Sequence, residues 1–380
     1  MTPNVRTGLA SFVALAALTL APIGGALAQG QGGAPASGGA VAPINGLPNP
    51  YETLRDFGRL PDGRKWGSVS GIQVDNDGKH IWAADRCGAN TCAGSTVNPI
   101  VKLDPDGNVV AQFGAGIFIW PHGMDIDSEG NVWVTDARLA TKAELEKFPN
   151  EAKKGNAVFK FSPQGKLLLT IGTPGTVGDG TGALLNEPND VIVGPNGDIY
   201  IGESHSGQSG NATPATVARI AVFSKDGKYL RSWGKWGAGP SEFKTPHAFA
   251  WDSQGRLFVA DRGNMSLKIF DAGGKFIAEW KQFSRISGVA IDKNDVIYAI
   301  DSESSPTANP GWYKGLRIGS AKTGVVQYFI PHHDAERPTG GGGLGAMGEG
   351  VAVDAAGNVY GGEVGSVVGI TKFVPRLLPR

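Results

Sequence analysis

One phrase recurs six times along the chain. Its clearest copy, His247 to Arg262, reads HAFAWDSQGRLFVADR: a strand, a tight polar turn, a second strand and a charged end. The other copies begin at Ser70, His122, Asn189, Ser287 and Glu349, and the first of them carries one extra residue in its turn. A second phrase comes after the copies, as in Ile100–Gly114 (IVKLDPDGNVVAQFG), Ile220–Gly234 and, most weakly, Leu316–Ile330. It is again two alternating strands about a Gly-containing turn, the mark of a hairpin. Two hairpins per repeat make a four-stranded antiparallel blade. A blade cannot cover both of its faces alone, so six must stack about an axis. The repeat therefore predicts an all-β chain folded as a six-bladed β-propeller.

The sixth repeat is short. After Glu349–Val364 only Ile370–Pro375 remains, enough for a third strand. Tyr51–Leu60, from the front of the chain, is expected to supply the fourth and to close the ring, leaving no open edge. Ahead of it, residues 1–28 read as a signal peptide. Arg6 gives the positive start, Gly8–Leu20 the apolar run and Ala26-Leu27-Ala28 the small-x-small cleavage site. The run is short for a membrane span, and export to a periplasm or the outside is expected. Residues 29–46, rich in Gly, Ala and Pro, read as a disordered tether, and 47–380 as one propeller domain. The 58 Gly and 24 Pro agree with a turn-rich β fold. Thr141–Lys154 is expected to hold a short surface helix.

Lys and Arg total 35, as do Asp and Glu, so charge gives no argument for nucleic acid or acidic membranes. Cys87 and Cys92 lie in the loop after the first copy. Two cysteines so placed in an exported chain usually pair. Two free thiols or a soft-metal site are the alternatives.

Aligned copies turn positions into rings around the axis. The first column is Ser70, His122, Asn189, His247, Ser287 and Glu349. All six are polar, and each begins the innermost strand of its blade. His122, His247 and Glu349 belong to repeats two, four and six, so a six-bladed ring spaces them by thirds of a turn. Two imidazoles and a carboxylate with one open position make a known catalytic zinc arrangement, and Mn or Fe could take the same donors. The alternative is a set of polar residues lining a wet channel. Ser70, Asn189 and Ser287 read as lining or support. Fourteen residues on, six acids recur: Asp85, Asp136, Glu203, Asp261, Asp301 and Glu363. A shared hydrogen bond to backbone N–H groups is the expected cause. The next column holds Arg86 and Arg262, suited to gripping a carboxylate or else ion-paired to a nearby acid. The aromatic column Trp82, Trp133, Tyr200, Phe258, Tyr298 and Tyr360 reads as packing between blades. His332 and His333 read as surface loop residues.

The repeats resemble the NHL repeat of six-bladed propellers. Residues 187–282, with EPNDVIVGPNGDIYIGES and TPHAFAWDSQGRLFVADRGN, resemble more closely the catalytic core of peptidyl-α-hydroxyglycine α-amidating lyase. ADRCGANTC and WPHGMDID fit the same family more loosely. That family holds zinc with three histidines and cleaves an N-acyl-α-hydroxyglycine to an amide and glyoxylate. By its motifs, His122 and His247 match zinc ligands, Arg86 and Arg262 the active-site arginines, and Met347 an active-site methionine. The chain departs in three places. Glu349 replaces the third zinc histidine, Gly350 replaces an acid associated with structural calcium, and His205 stands at the catalytic tyrosine position. His205 could act as base or acid, since an imidazole titrates near neutrality, or be an ordinary loop histidine. A divalent transition metal, zinc first, is thus expected, and calcium stays open.

The resulting expectation is an exported, metal-dependent lyase acting as a monomer on a small-molecule or peptide-derived substrate, with no nucleic-acid partner. A non-catalytic NHL propeller binding a protein or polymer, and a lactonase-like metal hydrolase, remain the alternatives, because a fold does not decide a function.

Overall fold

The computed structural model describes residues 41–332, 345–365 and 369–376, with only the backbone for 345–347. The signal peptide expected at 1–28, most of the tether and His333 lie outside these. Six four-stranded antiparallel sheets make up the propeller. Blade one runs Val69–Val74, Ile81–Asp85, Ile100–Leu103 and Val109–Phe113, from the axis outward. The innermost strands of the others are Pro121–Ile126, Pro188–Val193, Pro246–Trp251, Gly288–Ile291 and Gly345–Val353. These six strands touch in cyclic order, and the last meets the first.

Tyr51–Leu54 pairs with Gly369–Pro375 as the outer strand of blade six, which closes the ring with the front of the chain. The strand is shorter than the expected Tyr51–Leu60. Asp56 turns to φ 57° and breaks the ladder, although Phe57 still donates to Ile370 O at 2.9 Å. Just ahead of it, in the segment expected as a tether, Ile44 O and Asn45 Oδ1 accept from Arg317 at 3.1 and 3.0 Å. Those two residues are docked on the ring. The expected surface helix is Lys142–Lys147. Thr141 caps it in a reciprocal pair with Glu144, and a 3-10 turn, Pro149–Lys153, follows.

The core lies between blades. Trp82, from blade one, packs on Phe113 and belongs to one buried cluster with Phe161 of blade two. All six members of the aromatic column are at most 5 % exposed. His332 corrects its reading as a surface residue. It is buried at the end of Val326–Pro331, where its N–H donates to Lys314 O at 3.1 Å.

Five of the recurring acids, Asp85, Asp136, Glu203, Asp261 and Asp301, accept from the loop that enters their own blade. Asp136 accepts from the N–H groups of Ile119 and Trp120, Asp261 from Lys244 and Thr245, and Asp85 from Gly67. Each thus fixes the backbone just before an axial residue. Asp261 is wholly buried with Lys268 Nζ at 3.1 Å, itself wholly buried. Asp261→Ala is expected to lower stability by about 3–5 kcal/mol, the usual cost of stranding a buried charge. Chemical denaturation of the folded variant reads this. A loss under about 1 kcal/mol would show that the column is not structural.

Candidate functional site

The inner strands deliver their first residues to the axis through a repeated irregularity. Pairing with the second strand slips between Val69 and Gly71, Pro121 and Met124, Pro188 and Asp190, Pro246 and Ala248, and Ala346 and Gly350. Each slip spans one of Ser70, His122, Asn189, His247 and Glu349. A bulge bends the strand and re-aims a side chain, here toward the axis. The residue after it must be small where blades crowd. A Cβ on Gly123 would lie 2.2 Å from Asp190 Oδ1, and one on Gly350 2.5 Å from Ser70 O.

The strand starts surround an axial cavity of about 40 Å³, lined by His122, His247 and Glu349 among others. His122 Nε2 lies 3.7 Å from Glu349 Oε2, and His247 Nε2 lies 3.8 Å from Glu349 Oε1. The two imidazole centroids are 4.7 Å apart. Each ring is oriented by the strand start of the next blade. His122 Nδ1 donates to Asn189 O at 2.7 Å, and His247 Nδ1 to Ser287 O at 2.6 Å. With Nδ1–H engaged, Nε2 carries the lone pair, and both buried Nε2 atoms lack a hydrogen-bond partner among the described residues. This is the arrangement of a metal-ligating histidine held by a carbonyl. Asn189 and Ser287, read from the sequence as support, provide it through their backbone.

A tetrahedral metal at 2.0–2.1 Å from each donor sets donors roughly 3.4 Å apart. Each His–Glu separation comes within a few tenths of an ångström of that, the two histidines facing different oxygens of the carboxylate. The donor set therefore fits a divalent transition metal with His122, His247 and Glu349 as holders. His205 joins them: one donor atom from each of the four residues lies within 4.8 Å of the others.

Both arginines are buried against the same carboxylate. Arg86 Nη2 is 3.3 Å from Glu349 Oε2, and Arg262 Nη1 is 3.1 Å from Glu349 Oε1. Burial opposes ionisation of Glu349, but His122, Arg86, Arg262 and His247 outweigh it and hold the carboxyl well below its ordinary range. Burial likewise lowers His122 to about 4, against the pull of Glu349 and with the push of both arginines. His205 and His247 fall well below their ordinary value for the same leading reason. All three imidazoles are neutral at pH 7, the state that binds metal. Arg86, lowered by burial to about 10, keeps its charge.

Sequence reasoning missed the groups that hold the arginines. Trp120 lies under Arg86, its ring centroid 3.6 Å from Cζ. Asn90 Oδ1 accepts from Arg86 Nη1 at 2.7 Å. Asn90 sits inside the loop closed by the expected Cys87–Cys92 disulfide, so that bridge shapes the loop beside Arg86. Gln208 Oε1 accepts from Arg262 Nε at 3.0 Å, and Glu303 Oε1 is 3.3 Å from Arg262 Nη1. Trp120, one residue before Pro121-His122, was the one visible signal. The others lie in loops that no repeat aligns. Met347 falls in the innermost strand of blade six, with its side chain outside the described residues.

A family model described as a 6-bladed β-propeller matches residues 214–309. NHL repeat-containing protein 3 of Mus musculus is 27 % identical over 219 residues, covering 56 % of this chain and 55 % of its own length. Peptidyl-alpha-hydroxyglycine alpha-amidating lyase 1 of Drosophila melanogaster is 28 % identical over 195 residues, covering 48 % of this chain and 31 % of its own. The chain thus spans about half or less of these relatives. A solved gluconolactonase from Xanthomonas campestris superposes with TM-score 0.51 at 13 % identity, covering 90 % of this chain and 99 % of its own, a likeness of fold alone. Fold and sequence similarity agree: the chain is a six-bladed β-propeller that resembles the NHL-repeat proteins and the peptidyl-α-hydroxyglycine α-amidating lyases.

Proposed function

We propose that the protein is an exported metal-dependent lyase that cleaves the C–N bond of an N-acyl-α-hydroxyglycine-like substrate to an amide and glyoxylate. The observation that carries this reading is the pair of buried Nε2 atoms of His122 and His247, without a hydrogen-bond partner among the described residues, facing Glu349 between two buried arginines. His122, His247 and Glu349 would hold the metal, which supplies Lewis acidity toward the substrate's hydroxyl oxygen. Arg262 binds the substrate carboxylate, and Arg86, fixed on Trp120, supports the charge at Glu349. As the C–N bond breaks, the hydroxyl's electrons close the carbonyl of glyoxylate. The hydroxyl proton ends on the amide nitrogen, so the reaction balances without an oxidant or water. The burial of the imidazoles keeps competing water away from this transfer. The disulfide supports export, since such bridges persist in oxidising compartments.

Purified protein carrying its metal is expected to release glyoxylate and benzamide from N-benzoyl-α-hydroxyglycine, and a chelator is expected to stop it. Folded, metal-loaded protein that releases neither would overturn the lyase reading. A metal-loaded protein that instead opens lactones would favour a hydrolase, and one that binds no metal would favour a binding propeller.

A further inference from the structure

We infer that His205 is a fourth protein ligand of the metal, making the centre three imidazoles and a carboxylate. The inference rests on the metal-centre part of the proposed function and assigns His205 a place that its sequence position did not give it.

The chain builds a rigid mount for this one side chain. His205 follows Ser204, which has left-handed backbone at φ 121°, unlike Arg86, Ala137, Arg262, Ser302 and Val364 at the same position of the other repeats. Such strain in a non-glycine residue persists only where the surroundings impose it. They do so here: Ser204 N donates to Glu187 O at 3.2 Å, and its hydroxyl donates to Lys244 O at 3.0 Å. The 3-10 turn Ser206–Gln208 then packs on blade four so closely that a Cβ on Gly207 would meet Lys244 O at 1.9 Å. The chain is thereby turned inward at His205, which joins the clustered donors, while Glu303, at the same position of repeat five, reaches only as far as Arg262, at 3.3 Å.

The result is geometric convergence. The His205 ring stands at right angles to Trp120, 4.8 Å away, and its centroid is 5.1 Å from that of His122 and 5.7 Å from that of His247. Its donor lies within 4.8 Å of the other three. Its contact with Arg262 Nη2 is 3.4 Å, at the far limit of a hydrogen bond, and a metal would compete for that lone pair with little loss. The other arginine partners leave Arg262 in place when His205 turns to the metal.

The consequence is coordination number. Four protein donors fill a tetrahedral site, the closed form typical of structural zinc. A metal held this way would have to accept five or six ligands to supply Lewis acidity to a substrate oxygen. His205 bound in this way is not free to carry the substrate's proton in the resting protein.

Full-length protein reconstituted with Co²⁺ tests this. X-ray absorption at the cobalt edge is expected to count three imidazoles in the wild type and two in His205→Ala. The visible spectrum is expected to change, and Co²⁺ affinity to fall roughly 10- to 100-fold, as for lost support of a metal. His205→Gln, closer in shape, covers the case in which alanine disturbs the turn, and is expected to give the same imidazole count as alanine. Unchanged affinity and spectrum in both variants would overturn the inference while leaving the metal centre intact. A wild type that takes up no Co²⁺ would overturn the centre and the inference together.

Discussion

With His122 and His247 both changed to alanine, the protein will bind Zn²⁺ roughly 100-fold more weakly or worse than the wild type, while keeping its β-sheet circular dichroism. Removing ligands costs at least what removing their supporting groups costs, which is about 10- to 100-fold. The ring should survive, because the two imidazoles line the axial cavity and the apolar clusters lie between blades. The pH dependence is the sharper part. A metal binds neutral imidazole, so an ordinary histidine, titrating near 6.5, loses metal as pH falls through about 6.5. His122 is lowered by burial to about 4, and His247 and His205 lie well below the ordinary value. Protons therefore begin to compete only far below neutrality. Zn²⁺ affinity of the wild type, from competition with a chromophoric chelator, should stay nearly level from pH 8 to about 5 and fall steeply below that. A tenfold loss for each unit from pH 7 downward would mean that the site is wet and its histidines ordinary.

Much of this site was legible because the chain repeats itself. Six aligned copies place His122, His247 and Glu349 in one column, and the architecture carries a column to the axis without any knowledge of side-chain packing. The same alignment gave the buried acids a common cause, and the hydrogen bonds of Asp136 and Asp261 to incoming backbone bear it out. Local chemistry gave the short helix after Thr141 and the Cys87–Cys92 bridge. What escaped lies where the copies diverge. Asn90, Gln208 and Glu303 come from loops of different length and composition in blades one, three and five. Their meeting at Arg86 and Arg262 depends on folds of those loops that no pattern encodes. His205 was noticed for its position relative to a known family, yet its distance from the other donors follows from strain at Ser204, which a sequence does not display. The burial of His332 was hidden for a related reason: it follows the weakest of the outer hairpins, where the strand's end could not be read.

Arg262→Ala is expected to lower kcat/KM for N-benzoyl-α-hydroxyglycine roughly 100-fold or more, the scale of charge-assisted hydrogen bonds at ~1.5–3 kcal/mol each. The variant also removes a partner of Glu349 and Glu303, so a lower rate alone does not separate substrate binding from support of the site. A substrate without a carboxylate does. N-(hydroxymethyl)benzamide keeps the hydroxyl and the scissile C–N bond and yields the same benzamide. If Arg262 grips the carboxylate, its removal should cost this compound less than about tenfold. Equal losses on the two substrates would make Arg262 a support of Glu349 instead. On this reading the carboxylate has one place to go. Glu349 is 6 % exposed, but Glu303, the other acid on Arg262, is 34 % exposed and shared with Arg285 at 2.9 Å. A substrate carboxylate arriving from solvent meets Glu303 first and takes its place on the guanidinium. Glu303→Gln removes that rival charge without removing its bulk. It should lower KM for the hydroxyglycine substrate and leave KM for the uncharged analogue unchanged, which is the opposite of what damage to the site would do.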